Sequence, residues 1–244
     1  MSRATMGYLR VLFAQFTPLR ALRELAARVT RALWDPHCVP SYGQTGEDRI
    51  IEAYFPNLGT GFYVDVGCNE PVRNSNTFKL YRRGWRGINI DANAALIASF
   101  APQRPRDCNV RAIVSDVEQD MTLDIYADSL FSTVSAERRQ ELEGDRAVVR
   151  RETTRSRRLT QILDEQHAPA VFEVLSVDVE GHDLQVLKSL DLQRYQPTLI
   201  VVEMHGFDLA APVGEPVYDY LVANGYKLAS YAVMNGYFLR VNAP

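Results

Sequence analysis

Polar and acidic side chains follow five of the predicted strands at the point where each strand ends. In an open sheet of parallel strands flanked by helices, ligands bind beyond the carboxyl ends of the strands. One acidic strand end carries little information, whereas five at the same sheet edge predict a binding site there. In chain order these residues are Asp65, Gly67, Cys68, Asn69 and Glu70; Asp91; Ser115 and Asp116; Asp178, Glu180, His182 and Asp183; and Glu203 and His205.

Two of these residues indicate the kind of ligand. Gly67 lets a ligand approach the backbone closely. Asp91, 24 residues further on, has the position of an acid that accepts hydrogen bonds from ribose hydroxyls. The pair predicts a nucleoside-containing cofactor. Two structural alternatives stay open: Asp65 as a fully hydrogen-bonded structural carboxylate, and Asp91 as the cap of the following helix, alone or in addition.

The loop after the first strand is a poor cradle for pyrophosphate. The GxGxxG fingerprint and the GxxxxGK[ST] phosphate loop are both absent from the chain, and the loop carries the acids Asp65 and Glu70. Such a loop suits a cationic ligand, and S-adenosylmethionine offers a sulfonium, an ammonium group and a ribose. An NAD(P)-linked reductase is disfavoured by the missing fingerprint and by the absence of a recognisable Tyr-xxx-Lys pair.

If the ligand is S-adenosylmethionine and the acceptor a hydroxyl, the reaction needs in-line attack, and a general base or a metal ion assists because an alcohol is a weak acid. The candidate catalytic residues are Asp178, Glu180, His182 and His205. His182 suits a base near neutral pH. Asp178, Glu203 and His205 are also candidate ligands of Mg²⁺ or another divalent cation. Structural roles are the alternatives: a helix cap for His182, a helix-terminal carboxylate for Glu180 and a supporting histidine for His205.

The elements that would position these residues alternate along the chain. Strand-like segments at 61–67, 87–91, 109–116, 171–179 and 197–205 alternate with helix-like segments at 75–84, 92–100, 159–166, 183–191 and 215–225. We expect a further helix within 41–55 with a capping box of Thr45 and Asp48, an extra strand at 121–127 and a terminal hairpin around Asn235-Gly236. This alternation predicts a mostly parallel, doubly wound α/β sheet with helices on both faces.

Composition narrows the function classes. The 244 residues carry a formal net charge of -3, which argues against a dedicated nucleic-acid binder. None of the three cysteines, Cys38, Cys68 and Cys108, forms a CxxC pair, so neither a disulfide framework nor a zinc site is expected. No apolar run is long enough for a membrane span, and Arg10, Gln15 and Pro18 interrupt the N-terminal apolar stretch, which is unlike a signal peptide. A reducing, cytoplasmic setting is the expectation.

Residues 1–36 differ from residues 37–244, and we predict a domain boundary between them. Six arginines against one glutamate and one aspartate give the first segment a net charge of +4, and its apolar residues recur at helical spacing. Two short amphipathic helices are expected, with Thr17-Pro18 beginning the second. They would pack on the domain or on a second subunit, as in a homodimer, or lie on an anionic membrane surface.

The arginine-rich stretch 138–158 has two interpretations. Interspersed acids favour a solvated, salt-bridged face, and recognition of an anionic acceptor is the alternative. Four aromatic residues could form a wall that stacks on a sugar, although core packing is the default for each. They are Trp85, Tyr126, Phe131 and Tyr231.

Four stretches of the chain resemble the FkbM-type family of S-adenosylmethionine-dependent methyltransferases. They are SYGQTGEDRIIEAYF, GFYVDVGCNEPVRNSNTFKLYRRGWRGINIDAN, LSVDVEGHDLQVLKSLD and VVEMHG, and with the terminal hairpin they extend over roughly residues 41–240. The resemblance implies a class I methyltransferase fold, with a seven-stranded sheet whose last strand is antiparallel. It also implies O-methylation, often of sugars in surface polysaccharides or of secondary metabolites.

The resemblance also assigns roles by position. It implies that Asp65 and residues 67–70 form the cofactor loop, with Cys68 in place of the usual small residue. It implies that Asp91 is the ribose acid and that Ser115 and Asp116 lie on the adenine side. Asn76 and Asp178 complete the expected cofactor contacts.

The leading hypothesis is an O-methyltransferase that acts on a hydroxyl of a glycan or a glycosylated metabolite. The alternative is a non-catalytic S-adenosylmethionine-binding scaffold that docks on a membrane or a partner enzyme through residues 1–36. In either case we expect a cytoplasmic protein, with peripheral contact at the inner membrane face as the variant. No nucleic-acid partner is expected.

Overall fold

The computed structural model describes residues 37–241 and, ahead of them, seven helical residues between 18 and 30: Pro18, Leu19, Leu22, Arg23, Ala26, Val29 and Thr30. The predicted appendage of residues 1–36, with its helices, dimer contacts and membrane contacts, therefore falls largely outside the described residues. The chain divides into two compact units, Met1–Ser41 and Tyr42–Pro244. Among the described residues, no helix has both the length and the apolar character needed to cross a bilayer.

The second unit alternates strands and helices. Its strands are β1 (Phe62–Val66), β2 (Arg86–Asp91), β3 (Cys108–Arg111), β4 (Asp120–Tyr126), β5 (Val148–Arg155), β6 (Val171–Val177), β7 (Gln196–Glu203), β8 (Tyr226–Ala232) and β9 (Asn235–Arg240). Its helices are α1 (Glu47–Tyr54), α2 (Phe78–Arg82), α3 (Ala94–Phe100), α4 (Ala136–Leu142), α5 (Leu159–Glu165), α6 (Asp183–Lys188) and α7 (Pro216–Ala223), with a 3-10 turn at Ser129–Phe131.

Within residues 37–241, seven strands form one sheet in the order β3-β2-β1-β6-β7-β9-β8. All neighbours from β3 to β7 pair in parallel, and β9 runs antiparallel between β7 and β8. This confirms the predicted mostly parallel sheet with an antiparallel last strand. Strands β4 and β5 form a separate antiparallel pair. The sequence analysis missed β5 because its residues lie within the arginine-rich stretch and are mostly exposed.

Successive side chains of a central strand point to opposite faces of the sheet and pack into two different apolar clusters. On β1, Val64 and Val66 join the larger apolar cluster, whereas Tyr63 joins the smaller cluster on the other face. Asp65 alternates with Val64 and Val66 and so shares the face of Tyr63. The register places Asp65 beside Ser176 of β6, so polar groups of adjacent strands meet on that face near the carboxyl edge.

The turn of the terminal hairpin lies two residues earlier in the chain than predicted. Its turn is Val233-Met234, and Asn235 and Gly236 are the first residues of β9, so the prediction of an Asn-Gly turn was wrong. Tertiary contacts explain the difference. Asn235 donates from Nδ2 to Oε1 of Glu47 at 3.2 Å, and a Cβ on Gly236 would lie 2.7 Å from the sulfur of Met204. Buried contacts therefore outweigh the local turn preference.

Candidate functional site

The loop that follows β1, residues 67–70, contacts the loop after β6 at Gly67. This glycine has φ 78°, and a Cβ added there would lie 1.7 Å from the carbonyl oxygen of Asp178. The Gly67 N–H donates to the carbonyl of Ile90 at 2.9 Å. Glycine is therefore required by the close passage of the loop after β6. Because Gly67 and Asp178 both line the two cavities of the site, this contact joins them.

Asp91, at the end of β2, ties two loops together. One carboxylate oxygen accepts from the Asn69 N–H at 3.1 Å and the other from the Asn93 N–H at 2.7 Å. The cap of α3 is Asn93, which accepts from the Ala95 N–H at 3.0 Å, so Asp91 does not cap that helix. Burial raises the pKa of Asp91 to about 6, against the lowering by its two backbone hydrogen bonds.

The first cavity lies beyond the ends of β1, β2 and β3. Asp91 and His182 supply polar groups to a lining that is otherwise largely apolar, and Nε2 of His182 lies 3.1 Å from Oγ of Ser115. Burial lowers the pKa of His182. The lining residues are Val66, Gly67, Ile90, Asp91, Ala92, Ala112, Ile113, Val114, Leu123, Ser132, Val134, Asp178, Val179 and His182. The structure thus places His182 with the predicted adenine-side residue Ser115.

The second cavity is more polar. Asn76 reaches it from the turn before α2 and donates from Nδ2 to Oγ of Ser176 at 3.1 Å. The lining residues are Asp65, Gly67, Cys68, Asn69, Asn74, Asn76, Leu130, Asp178 and Glu180. Three predicted cofactor residues line neither cavity: Glu70, which pairs with Arg73 at 3.3 Å, Ser115, which contacts the lining residue His182, and Asp116. Most of the predicted cofactor set is therefore brought together around two adjoining spaces.

A buried hydrogen-bond network supports Asp65 from behind. Thr77 donates to Asp65 at 2.6 Å, and Arg104 donates to Thr77 at 2.9 Å and to the Tyr63 hydroxyl at 2.7 Å. The Arg104 guanidinium also pairs with Asp107 at 2.8 Å, and both side chains are fully buried. Burial raises the pKa of Asp65, while the Thr77 hydrogen bond and Arg104 lower it. We call Asp65, Tyr63, Thr77, Arg104 and Asp107 the Arg104 network; the sequence analysis missed it, since no motif announces Arg104.

Three candidate residues meet at the ends of β6 and β7. Glu180, Glu203 and His205 each offer one ligand atom, and these atoms lie within 4.8 Å of one another. We call these three residues the acidic cluster. Nε2 of His205 lies 3.0 Å from Oε1 of Glu203. Asp178, a predicted metal ligand, is outside this set and lines the two cavities instead.

Burial and neighbouring carboxylates dominate the electrostatics of the cluster. Desolvation, then Asp178, Glu180 and Asp183, raise the pKa of Glu203 to about 10. Glu203 is only 6% exposed, and its Oε2 has no hydrogen-bond partner among the described residues. Burial also raises the pKa of Asp178 well above its usual value. The cluster is therefore rich in carboxyl groups and short of hydrogen-bond donors for them, and the raised pKa keeps Glu203 protonated in the absence of a cation.

The loop between β6 and α6 presents Glu180 under strain. Glu180 has φ 53°, which is unusual for a residue other than glycine, and Gly181 follows with φ 88°. Asp183 fixes this turn by accepting from the Val179 and Gly181 N–H groups at 3.1 and 3.2 Å. Thr133 donates to the Glu180 carbonyl at 2.7 Å. Strained backbone of this kind concentrates at functional sites.

Two charged residues of the site were not predicted. Arg138, assigned to a solvated face, lies with both Nε and Nη2 3.0 Å from Oε2 of Glu180. Glu47 accepts from the Thr45 N–H at 2.9 Å and from Asn235, and its charge raises the pKa of Asp178. The predicted capping box was wrong, because the cap of α1 is Gly46 and no side chain caps it. The sequence signal that could have identified Glu47 is the pair of acids, Glu47 and Asp48, at the start of α1.

The predicted aromatic wall is divided. Trp85 and Tyr126 are buried in the protein interior, as the default interpretation held. Phe131 lies under Arg146, with the guanidinium carbon 3.5 Å from the ring centre. Tyr231 packs against Phe207 and donates to the carbonyl of Met204, next to Glu203, at 3.0 Å. These last two rings are half-buried.

Similarity to known proteins is found at the level of the family. The family model described as the methyltransferase FkbM domain matches residues 65–228. No curated protein matches the chain. Among solved structures, a TehB-like SAM-dependent methyltransferase from Corynebacterium glutamicum is 13% identical, with 91% of this chain and 99% of that chain covered and a TM-score of 0.44.

Proposed function

The chain belongs to the FkbM methyltransferase family and is an S-adenosylmethionine-dependent methyltransferase; from this premise we propose that it methylates a hydroxyl group of a sugar. The acceptor belongs to a polysaccharide, a glycolipid or a glycosylated secondary metabolite. One observation carries the proposal: a histidine paired with a buried glutamate stands next to the cofactor cavities. The His205 side chain is 48% exposed, so an acceptor can reach it, while Glu203 holds it from below.

His205 is suited to accept a proton. Burial, then the nearby Arg138, lower its pKa, so the imidazole is neutral at physiological pH. The acceptor oxygen forms a bond to the methyl carbon as the sulfur–carbon bond breaks and S-adenosylhomocysteine leaves. Beside a sulfonium, Glu203 is ionised and accepts from Nε2–H of His205, so the hydroxyl proton passes to Nδ1 of the same imidazole. A general base of this kind typically raises the reaction rate about 10²–10⁴-fold.

The two cavities offer complementary surroundings for the cofactor. The apolar lining around Ile90 and Ala112 suits the adenine ring, and Asp91 at its rim can accept hydrogen bonds from the ribose. Asp65 and Asp178 line the other cavity, where carboxylates favour the sulfonium and the ammonium group. The loop of Gly67 joins the two, as an extended nucleoside–amino acid ligand requires.

The sugar acceptor is supported by the groups around the acidic cluster. Tyr231 stands beside Met204 with its ring against Phe207, and Phe131 belongs to the 3-10 turn whose Leu130 lines the second cavity. Aromatic faces with polar neighbours suit the apolar faces and the hydroxyls of a sugar ring.

The test measures cofactor binding and methyl transfer separately. Isothermal titration with S-adenosylhomocysteine is followed by transfer of a labelled methyl group to paired glycosides that differ only in a hydroxyl or an amine at one position. We expect the protein to bind S-adenosylhomocysteine and to transfer the label to the hydroxyl glycoside. The rate of this transfer should fall at least about 100-fold in His205→Gln. Label on the amine alone would overturn the hydroxyl assignment. Binding with no transfer to any acceptor would favour the non-catalytic scaffold.

A further inference from the structure

The donor atoms of the acidic cluster resemble an incomplete coordination sphere. Two carboxylates and one imidazole converge within 4.8 Å, from the strained turn after β6 and from the end of β7. Oxygen donors with one imidazole suit a first-row divalent cation that keeps some of its water, with Mn²⁺ as the representative case. The exposed side of His205 leaves room for further ligands.

An independent observation at Glu203 indicates that a ligand is missing from this cluster. Glu203 is only 6% exposed, and its Oε2 accepts no hydrogen bond within the described part of the chain. Leaving a buried carboxylate oxygen without a partner is unfavourable, and more so when the group is charged. The other oxygen, Oε1, is already occupied by His205. A bound cation would satisfy the oxygen that the protein leaves open.

Neighbouring charges favour the same conclusion. Two further carboxyl groups, Asp178 and Asp183, lie on the same segment from the end of β6 to the start of α6 as Glu180. Arg138 is the cation placed against it, and this guanidinium divides its contacts between Oε2 of Glu180 and Glu141. Oε1 of Glu180 is outside that ion pair. Carboxyl groups therefore outnumber the guanidinium groups of Arg138 and Arg146 around the three donors.

We propose that Glu180, Glu203 and His205 bind one divalent cation of the Mn²⁺ type. Cation binding itself does not depend on the acceptor. Its use rests on the proposed function: with His205 as a ligand, the cation would take the place of the imidazole base, hold the acceptor hydroxyl and lower the pKa of that hydroxyl so that its proton leaves to solvent.

The test titrates chelator-treated full-length protein with Mn²⁺ and no cofactor, and follows free Mn²⁺ by electron paramagnetic resonance. We expect one Mn²⁺ per chain, with affinity weakened about tenfold or more in Glu203→Gln and in Glu180→Gln. Asp164→Asn is the control, because Asp164 pairs with Arg194 and Tyr195 and lines neither cavity. Binding of S-adenosylhomocysteine by each variant shows that it is folded.

Binding that is absent, not stoichiometric or equal in all variants would overturn the cation site. Methyl transfer assayed with and without chelator separates the two proposals. Chelator-resistant transfer to a hydroxyl, together with absent Mn²⁺ binding, would remove the cation and leave the proposed function standing. Stoichiometric Mn²⁺ binding without transfer to any hydroxyl would support the cation site and remove the proposed acceptor.

Discussion

The Arg104 network and the acidic cluster are both buried or half-buried groups of ionisable residues, but they treat charge in opposite ways. In the Arg104 network, the buried guanidinium faces an aspartate, a tyrosine hydroxyl and a threonine hydroxyl at hydrogen-bonding distance. In the acidic cluster, Glu203 keeps an oxygen without a partner among the described residues.

The difference distinguishes residues that stabilise the fold from residues that can react. A buried charge whose hydrogen bonds are all made is rigid, and this rigidity holds Asp65 at the cofactor loop. A buried carboxylate that lacks a hydrogen-bond partner has a strongly raised pKa, and it can bind a proton, the hydroxyl of an acceptor or a cation. The comparison predicts that changes in the Arg104 network reduce stability, whereas changes in the acidic cluster reduce turnover.

The largest effect is expected from Arg104→Met. Removing the guanidinium leaves Asp107, and Asp65 beyond Thr77, without their buried cation, which should lower the free energy of unfolding by about 3–5 kcal/mol. Urea denaturation measures the loss. Arg194→Met is the matched control, because Arg194 pairs with Asp164 at the surface and should change stability by no more than about 1 kcal/mol. Equal effects in the two variants would contradict the distinction.

On the other side of the comparison, His205→Ala should lower turnover about 10²–10⁴-fold, since the base is lost. The affinity for S-adenosylhomocysteine and the free energy of unfolding should stay unchanged, because the imidazole is half exposed. Steady-state kinetics with labelled cofactor measures the rate. His167→Asn, on the exposed turn after α5, is the control. A stability loss as large as that of Arg104→Met would show that His205 is structural.

Asp91→Asn should have an intermediate effect on binding. An amide oxygen can replace one of the two acceptor oxygens that hold Asn69 and Asn93, but the negative charge toward the ribose is lost. We expect S-adenosylhomocysteine to bind about tenfold more weakly, or about 1.4 kcal/mol. Isothermal titration measures this, with Asp164→Asn as the control. Unchanged affinity would remove Asp91 from the ribose site.

The pH dependence of stability in the protein without ligands gives a further test. Burial raises the pKa of Asp91 to about 6, of Asp183 to about 7 and, with neighbouring carboxylates, of Glu203 to about 10. These groups hold protons in the folded state that the unfolded chain has released. Their stabilisation is complete below the ordinary carboxyl pKa of about 4 and is lost as pH rises through the folded values.

The melting temperature should therefore fall between about pH 5 and about pH 9, and fall less steeply in Glu203→Gln, which cannot ionise. Differential scanning fluorimetry across that range measures both slopes. A melting temperature that rises with pH in the wild-type protein, or equal slopes in the two proteins, would show that these carboxylates are already ionised in the folded state.

The sequence allowed much of this comparison to be predicted, but unevenly. Short apolar, β-rich runs identified β1, β2, β6 and β7, and the acids after them followed directly. Arg104 and Arg138 could not be assigned, because an arginine in a polar stretch carries no local sign of its partner. The exposed strand β5 and the displaced hairpin turn were missed for the same reason: packing elsewhere in the fold decides them.

The sequence by itself determined the alternation of strands and helices, the parallel sheet and the set of polar residues at its carboxyl edge, because these follow from local periodicity and chain order. Only the tertiary structure decided how that set is divided. Strand register and loop geometry place His182 beside Ser115 and His205 beside Glu203, although both histidines follow strand ends in the same way. Pairing across distant strands, burial and the resulting pKa shifts depend on three-dimensional distance, which spacing along the chain does not encode.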